Sequence, residues 1–178
     1  MIRIFLLLIT SVCFAINLDY INKAYNNQEY SKICTDNIVD YAKRSKDDGL
    51  LNLYAISCLK LDYINKLIVP INSLVRTKEA RLNAVYYSTI LYKKKLLYAA
   101  LVDGLDISNI KLPKCDYVLS DIYDSYVEGN FIRVDDKLIF NFNNLKYEIS
   151  LVNSYSFIKM IVNIFDLDGN LIETKEYW

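Results

Sequence analysis

The stretch FDLDGN, residues 165–170, has residue types that can bind calcium. Asp166, Asp168 and Asn170 alternate along the chain and offer three side-chain oxygens. An EF-hand loop that starts at Asp166 would need Gly at its sixth position and a bidentate Glu at its twelfth. Here Gly is the fourth residue and Tyr177 is the twelfth. Asp-Gly between two apolar runs is a strong signal for a β-hairpin, so the stretch predicts a turn and no metal site.

The rest of the sequence offers few groups for catalysis. It contains no His, which excludes the triads and metal sites that need an imidazole. It has no glycine-rich phosphate-binding loop and no G-x-S-x-G motif. The carboxylate pairs Asp121/Asp124 and Asp135/Asp136 remain, and a hydrolase that uses such a pair is the enzymatic alternative. The sequence therefore predicts a protein that is not an enzyme and that has no cofactor.

A binding surface is the more specific expectation. The segment from Leu82 to Leu101 has two apolar faces, so it is either central in the fold or in contact with a partner. We predict that it forms a helical hairpin at the surface, with an aromatic anchor and a basic rim. The candidate anchors are Tyr86 and Tyr87, and the candidate rim residues are Lys93, Lys94 and Lys95. The alternatives are central burial for the helix and a solvated corner for the lysines.

The N-terminus predicts export. Arg3 is followed by an apolar or small stretch up to Val12, and small residues at Cys13 and Ala15 fit a Sec-type cleavage site. Residues 1–15 are therefore predicted to be a signal peptide and the mature chain to be periplasmic. An uncleaved anchor and a lipid attached to Cys13 are the alternatives, although the apolar stretch is shorter than the roughly 20 residues that span a bilayer. Export and a pI near 6.3 argue against nucleic acid as a partner.

Export also determines how the remaining cysteines are interpreted. Cys34, Cys58 and Cys115 follow the predicted signal, and disulfides persist in an oxidising compartment. No two of them have CxxC spacing, so a zinc site or a redox dithiol is not predicted. We predict a Cys34–Cys58 disulfide because both residues fall on neighbouring predicted helices. Buried free thiols are the alternative.

The hydrophobic pattern divides the chain into two regions. From residue 16 to 128 the apolar residues recur at helical spacing, and from 129 to 178 they alternate as in strands. The predicted helices are 18–26, 28–46, 50–62, 63–76, 77–93, 94–106 and 116–128. Residues 16–115 carry 15 Lys plus Arg and 10 Asp plus Glu, whereas residues 116–178 carry 5 and 11. The net charges are therefore +5 (15 − 10) and −6 (5 − 11).

Two hairpins explain the alternating region. Asn143-Asn144 as a two-residue turn pairs Phe142 with Leu145, Phe140 with Tyr147 and Leu138 with Ile149. A preceding strand, 131–134, is joined through a turn at Asp135-Asp136. A second loop at Asp168-Gly169 pairs Phe165 with Ile172 and Met160 with Tyr177. These strands predict a small antiparallel meander with one face on the helices.

The helical region contains a weak internal repeat. LLNLYAISCLKL from Leu50 and RLNAVYYSTILY from Arg81 share Leu-Asn and a later Ser at an offset of 31 residues. The segment YKKKLLYAALVDGLDIS, residues 92–108, resembles the second helix of a tetratricopeptide repeat. The resemblance covers about residues 50–108 and implies an array of helical hairpins that acts as an interaction scaffold. The alternative is an irregular helical bundle.

These observations together predict an α+β protein with a helical-hairpin array at residues 16–128 and a β-meander at 129–178. The predicted function is that of an exported, non-enzymatic interaction or assembly scaffold that binds another cell-envelope protein. A lipid- or small-molecule-binding protein with a cavity between helices and sheet is the first alternative. A carboxylate-dependent hydrolase is the second.

Overall fold

The structure is a computed structural model that describes residues 18–178. The predicted signal peptide and its cleavage site lie outside the described residues. Within residues 18–178, seven α-helices and one 3₁₀ helix precede a five-stranded antiparallel sheet. The predicted α+β class, with helices first and strands last, is therefore confirmed.

The helices and strands of the described residues have the following bounds. The α-helices are α1 (Leu18–Asn26), α2 (Tyr30–Ile33), α3 (Asp36–Ser45), α4 (Asp48–Lys60), α5 (Ile68–Ser73), α6 (Lys78–Asp103) and α7 (Val118–Val127). A 3₁₀ helix, Ile64–Leu67, precedes α5. The strands are β1 (Ile132–Val134), β2 (Lys137–Phe142), β3 (Leu145–Ser154), β4 (Phe157–Phe165) and β5 (Leu171–Tyr177). Their order in the sheet is their order in the chain, which makes the sheet a meander.

Both ends of helix α6 have residue types that commonly start or end a helix. The side chain of Thr77 accepts a hydrogen bond from the backbone N–H of Ala80 at 3.0 Å, as an N-cap residue does. Gly104 follows the helix with φ +70°, in the left-handed conformation common after helix ends. Between these two residues the helix is continuous for 26 residues. The predicted break at residues 93 and 94 is therefore wrong, and the segment Leu82 to Leu101 is a single helix instead of a hairpin.

Two other predicted helices differ in the structure. The predicted helix 28–46 is interrupted at Cys34 and Thr35, where Thr35 adopts an extended conformation before α3. The predicted helix 63–76 begins with a 3₁₀ turn and ends at Ser73. Pro70 lies in the first turn of α5, where backbone N–H groups have no acceptor within the helix. Its lack of an N–H therefore costs no helical hydrogen bond.

A disulfide joins the start of the helical region to α4. Cys34, which follows α2, is bonded to Cys58 on α4 across 24 residues of sequence, and these are the two residues that the sequence pairs. Cys115 has a free, partly exposed thiol. Because α2 has only four residues, the bond fixes a helix that is too short to be stable by itself.

The first hairpin has the predicted register. Phe142 pairs with Leu145, Phe140 with Tyr147, and Leu138 with Ile149. The turn residues Asn143 and Asn144 have φ of 53° and 58°, as a type I′ turn requires.

The second hairpin has the predicted position but not the predicted register. Met160 pairs with Tyr177 as expected, whereas Phe165 pairs with Leu171 and not with Ile172. The reason is a longer loop: the N–H of Gly169 donates to the carbonyl of Asp166 at 3.2 Å, and Asp166 also accepts from the N–H of Asn170 at 2.7 Å. Ile172 is consequently an extra residue in β5, and the strand has a bulge there.

Helices and sheet share one core. A continuous cluster of buried side chains runs from α1 to β5. The inward face of the sheet contributes Leu138, Phe140, Tyr147, Ile149, Met160, Val162, Ile164 and Tyr177. The hydroxyl of Tyr98 on α6 donates to the carbonyl of Ile158 on β4 at 2.7 Å, which fixes α6 to the sheet. Across residues 18–178, no helix combines the length and the apolar character needed to cross a bilayer.

The backbone of Gly169 gives a test of the second hairpin. Its φ is +85°, a conformation that costs L-residues about 1–2 kcal/mol. We expect Gly169→Val to lower the free energy of unfolding by about that amount, because a β-branched residue fits this region poorly. Gly169→Asn is the matched control and should cost less, since Asn tolerates positive φ. Urea unfolding measures both, and equal stability of the Val variant and the wild type would contradict this turn.

Candidate functional site

A pocket of 430 Å³ opens between the helices and the end of the sheet. One wall is the segment from Asp62 to Lys66, which follows α4 and includes most of the 3₁₀ helix, and the opposite wall is the end of β5 with Trp178. Lys94 of α6 contributes the remaining lining side chain. The three segments that form the pocket are far apart in sequence, so the pocket exists only in the folded chain.

Aromatic and aliphatic side chains give the pocket a mostly apolar surface. They are Tyr63, Ile64, Tyr177 and Trp178. Tyr63 and Trp178 remain 51% and 46% exposed, so both rings are available to a ligand. The ring of Trp178 is supported from the sheet by Phe157, at 5.9 Å between ring centroids, and by the ammonium group of Lys159, 5.6 Å from its centroid.

Lys94 is the buried charge of the pocket. Its Nζ donates to Oδ1 of Asn65 at 2.8 Å and to the backbone oxygen of Trp178. Among the described residues it has no carboxylate side chain within ion-pair distance. Burial, together with the neighbouring charge of Lys95, lowers the pKa of Lys94 to about 8. The ammonium group is therefore held by one oxygen from each of the two walls of the pocket.

Asp62 holds the pocket wall in place. It follows α4 with φ of 59°, a left-handed conformation that Asp tolerates better than most residues. Its Oδ1 accepts from the hydroxyls of Tyr117 and of Tyr177, the latter at 3.1 Å, and its Oδ2 accepts from Lys175 at 2.7 Å. One carboxylate thus joins the end of α4, the segment before α7 and β5.

The other charged residues of the pocket also have partners of their own. Lys66 is paired with Asp36 at 2.9 Å, and Glu176 is paired with Lys159 at 2.7 Å. Neither ion pair involves Lys94.

A second concavity, which we call the tyrosine cleft, lies on the other side of Asp62. It measures 560 Å³ and is lined by Asn52, Ile56, Leu59, Lys60, Asp62, Asn83, Tyr86, Tyr87, Asp116, Tyr117, Val118 and Lys175. Both candidate anchors of the sequence analysis lie here. Tyr86 is partly exposed and donates to the carbonyl of Asp116 at 3.0 Å. Tyr87 is only 2% exposed, and its hydroxyl donates to Asn52 Oδ1, so it is mainly a core residue.

The three candidate rim lysines do not form a common rim. Lys93 is fully buried, and its Nζ donates to Asp124 Oδ1 at 2.7 Å and to Ser120 Oγ at 2.8 Å on α7. Lys94 lines the pocket, and of the three only Lys95 is exposed. The predicted basic rim at the surface is therefore wrong for Lys93 and Lys94, and so is the alternative of a solvated corner. The reason is that α6 is continuous, so that these residues lie inside the fold and not at a corner between two helices.

The carboxylate pairs of the sequence analysis lie outside the pocket lining. Asp124 is the partner of Lys93, and its Oδ2 is buried without a hydrogen-bond partner among the described atoms. Burial and the nearby charge of Asp124 raise the pKa of Asp121. Asp135 lies in the turn between β1 and β2 with φ of 51°. Within residues 18–178, no group of three or more Cys, Asp or Glu side chains is arranged to hold a metal ion.

Sequence reasoning missed Asp62, Asn65 and Trp178 as site residues. They carry no local motif, because Asp62 follows an ordinary helix and Trp178 follows an ordinary strand. The one available signal was that Trp178 is the only tryptophan in the chain. No family model, no curated protein and no solved structure matches this chain, so the site rests on its own geometry.

The burial of Lys93 predicts unequal effects for adjacent lysines. Lys93→Met removes the partner of Asp124 and leaves a largely buried carboxylate without its cation. We expect a loss of about 3 kcal/mol in the free energy of unfolding, the lower end of the range for broken buried pairs, because 18% of the Asp124 side chain is exposed. Lys95→Met, at an exposed position of the same helix, is expected to change stability by about 0.5 kcal/mol or less. Urea unfolding of both variants measures the difference, and equal losses would contradict the buried ion pair.

Alkaline pH is expected to destabilise the protein, because buried tyrosines stay protonated when it is folded. Burial, with Asp36 and Asp40, raises the pKa of Tyr54 to about 12. Burial likewise raises the pKa of Tyr117 and Tyr177, and the charge of Asp62 adds to both shifts. Unfolded tyrosines ionise near about pH 10, so above that pH the folded state binds more protons and the free energy of unfolding falls.

Urea unfolding between about pH 9 and 11 measures this decline. Lys94 has the opposite effect, because folding lowers its pKa from 10.5 to about 8 and the free energy of unfolding therefore rises between these two pH values. This is the effect of one group, whereas the three tyrosines named above all lower the free energy of unfolding. Cys115→Ser in all samples prevents thiol–disulfide exchange at high pH. Tyr117→Phe should make the decline shallower, and a free energy that stays constant up to about pH 11 would contradict the burial of these hydroxyls.

Proposed function

We propose that this chain is an exported, non-catalytic binding protein that holds a small molecule with an apolar body in the pocket. The observation that carries the proposal is the pocket itself. Its 430 Å³ lie between the helices and the sheet, within the range of about 300–1,000 Å³ typical of small-molecule sites. This is the position expected for the ligand-binding alternative of the sequence analysis.

The lining of the pocket supports binding more than catalysis. Its surface is mostly apolar, with a few polar groups in fixed positions, as in ligand-binding sites. Asp62 already accepts three hydrogen bonds, and Glu176 is paired with Lys159. Because both carboxylates already have partners that hold the pocket walls together, they support a structural role more than a role in hydrolysis.

A scaffold that binds another cell-envelope protein is a second candidate function. One observation favours it: Leu82, Val85 and Tyr92 are more than half exposed and lie three and seven residues apart on one face of α6. The hairpin array similar to tetratricopeptide repeats is supported by Asn52 and Asn83, the equivalent residues of the internal repeat. Asn83 Nδ2 donates to Asn52 Oδ1 at 3.0 Å, so the two repeat segments are in contact.

The single tryptophan makes the ligand proposal directly testable. Trp178 lines the pocket and is the only tryptophan in the chain, so its fluorescence reports on the pocket alone. We expect N-phenyl-1-naphthylamine, a neutral apolar probe, to quench Trp178 with a saturable curve and one bound probe per chain.

Two exposed tyrosines provide a matched pair of variants. Tyr63→Ser removes an aromatic wall of the pocket and should weaken probe binding roughly threefold to tenfold. Tyr155→Ser changes a fully exposed tyrosine that does not line the pocket and should leave the affinity unchanged. Quenching that does not saturate, or the same affinity in both variants, would overturn the proposal.

A further inference from the structure

The tyrosine cleft has a lining that the ligand proposed for the pocket does not explain. Its volume of 560 Å³ lies within the range of about 300–1,000 Å³ typical of small-molecule sites. Nine of its twelve lining side chains carry a polar group, and the other three, Ile56, Leu59 and Val118, are aliphatic. A ligand that matches this lining needs several hydrogen-bonding groups as well as an apolar surface.

The charged side chains of the cleft balance one another. They are the acidic Asp62 and Asp116 and the basic Lys60 and Lys175. Lys175 is paired with Asp62 at 2.7 Å. Lys60 and Asp116 are both exposed, so water and salt screen their charges. The cleft therefore favours a ligand without net charge.

Two linked amides are the most firmly placed polar groups of the cleft. Nδ2 of Asn83 donates to Oδ1 of Asn52 at 3.0 Å, and the hydroxyl of Tyr87 donates to the same oxygen. Both lone pairs of this oxygen are then used. Among the described residues, Nδ2 of Asn52 has no acceptor and Oδ1 of Asn83 has no donor. One donor and one acceptor consequently remain on adjacent side chains.

Two neighbouring hydroxyl groups match this donor and acceptor. A hydroxyl both donates and accepts, so one can accept from Asn52 Nδ2 while the next donates to Asn83 Oδ1. A trans peptide bond fits less well, because its N–H and C=O point to opposite sides. The partly exposed ring of Tyr86, which packs edge-to-face on Tyr87 at 5.5 Å between centroids, adds an apolar surface to the cleft.

We infer that the tyrosine cleft binds a neutral saccharide. Adjacent hydroxyls of the sugar bond to Asn52 Nδ2 and Asn83 Oδ1, and one face of the sugar ring lies against Tyr86. Saccharides combine neighbouring hydroxyls with C–H surfaces and need carry no charge, as this lining requires. The aliphatic side chains of the cleft can contact an apolar substituent on the sugar.

Three probes with the same phenoxy group test the inference by isothermal titration calorimetry. Phenyl β-D-glucopyranoside carries the hydroxyls, 2-phenoxytetrahydropyran has the same two rings without them, and phenyl β-D-glucuronide adds a carboxylate. We expect the glucoside to bind about tenfold or more tightly than the hydroxyl-free analogue, because at least two hydrogen bonds are added. The glucuronide should bind within about fivefold of the glucoside, since exposed charges contribute little.

Substitutions in the cleft test the residues. Asn83→Ala removes the free acceptor and should weaken glucoside binding about threefold to tenfold, with no effect on the hydroxyl-free analogue. Tyr86→Ala removes the ring surface and should weaken it by a similar factor. Asn72→Ala, at an exposed position of α5 outside the cleft lining, is the matched control and should keep the wild-type affinity. Circular dichroism verifies that each variant is folded, and the comparison of probes on the wild type needs no variant.

The outcomes are distinct from those for the pocket. If 2-phenoxytetrahydropyran binds as tightly as the glucoside, or the glucoside does not bind, the inference is wrong. A glucoside affinity that Asn83→Ala leaves at the wild-type value would place the sugar elsewhere and overturn it. A glucuronide that binds tenfold or more tightly than the glucoside would overturn the neutral ligand. Quenching of Trp178 by N-phenyl-1-naphthylamine tests the pocket separately.

Discussion

Two consecutive lysines in the middle of α6 determine how the rest of the chain is arranged. Adjacent residues of an α-helix point about 100° apart, so Lys93 and Lys94 need polar partners on different sides of the same helix. Lys93 finds them on α7, and Lys94 finds them on the segment before α5 and at the end of β5. Burying an ammonium group without such partners would be prohibitive, so the burial of α6 and the positions of its neighbours depend on each other.

The local rules of the sequence predicted the sheet well and the helices only in part. The first hairpin could be predicted because its register depends on a two-residue turn and on side chains a few residues apart. The second differed because Asp166 bonds to Asn170 and lengthens the loop, a side-chain contact that the alternating pattern does not reveal. The break predicted at Lys93 had a different origin. Three lysines in a row are typical of a solvated corner, and only the distant Asp124 explains why one of them is buried.

The candidate site shows the same division between local and long-range information. Tyr86 and Tyr87, which the sequence analysis predicted as anchors of a partner-binding surface, line the tyrosine cleft. The pocket, in contrast, is formed by residues near positions 62, 94 and 178, and no periodicity or spacing relates them. Long-range ion pairs also cross between the two charged regions: Lys93 of the basic region pairs with Asp124 of the acidic one, whereas Asp62–Lys175 crosses with the opposite signs.

The position of Asp62 has a thermodynamic consequence. This carboxylate lines both the pocket and the tyrosine cleft, and it is held by hydrogen bonds from residues on either side. A molecule that displaces Asp62 from one concavity therefore changes the shape of the other. Linkage requires the effect to be reciprocal: whatever factor occupancy of the cleft applies to affinity in the pocket, occupancy of the pocket applies to affinity in the cleft. Asp62 is therefore the residue through which occupancy of one concavity would act on the other.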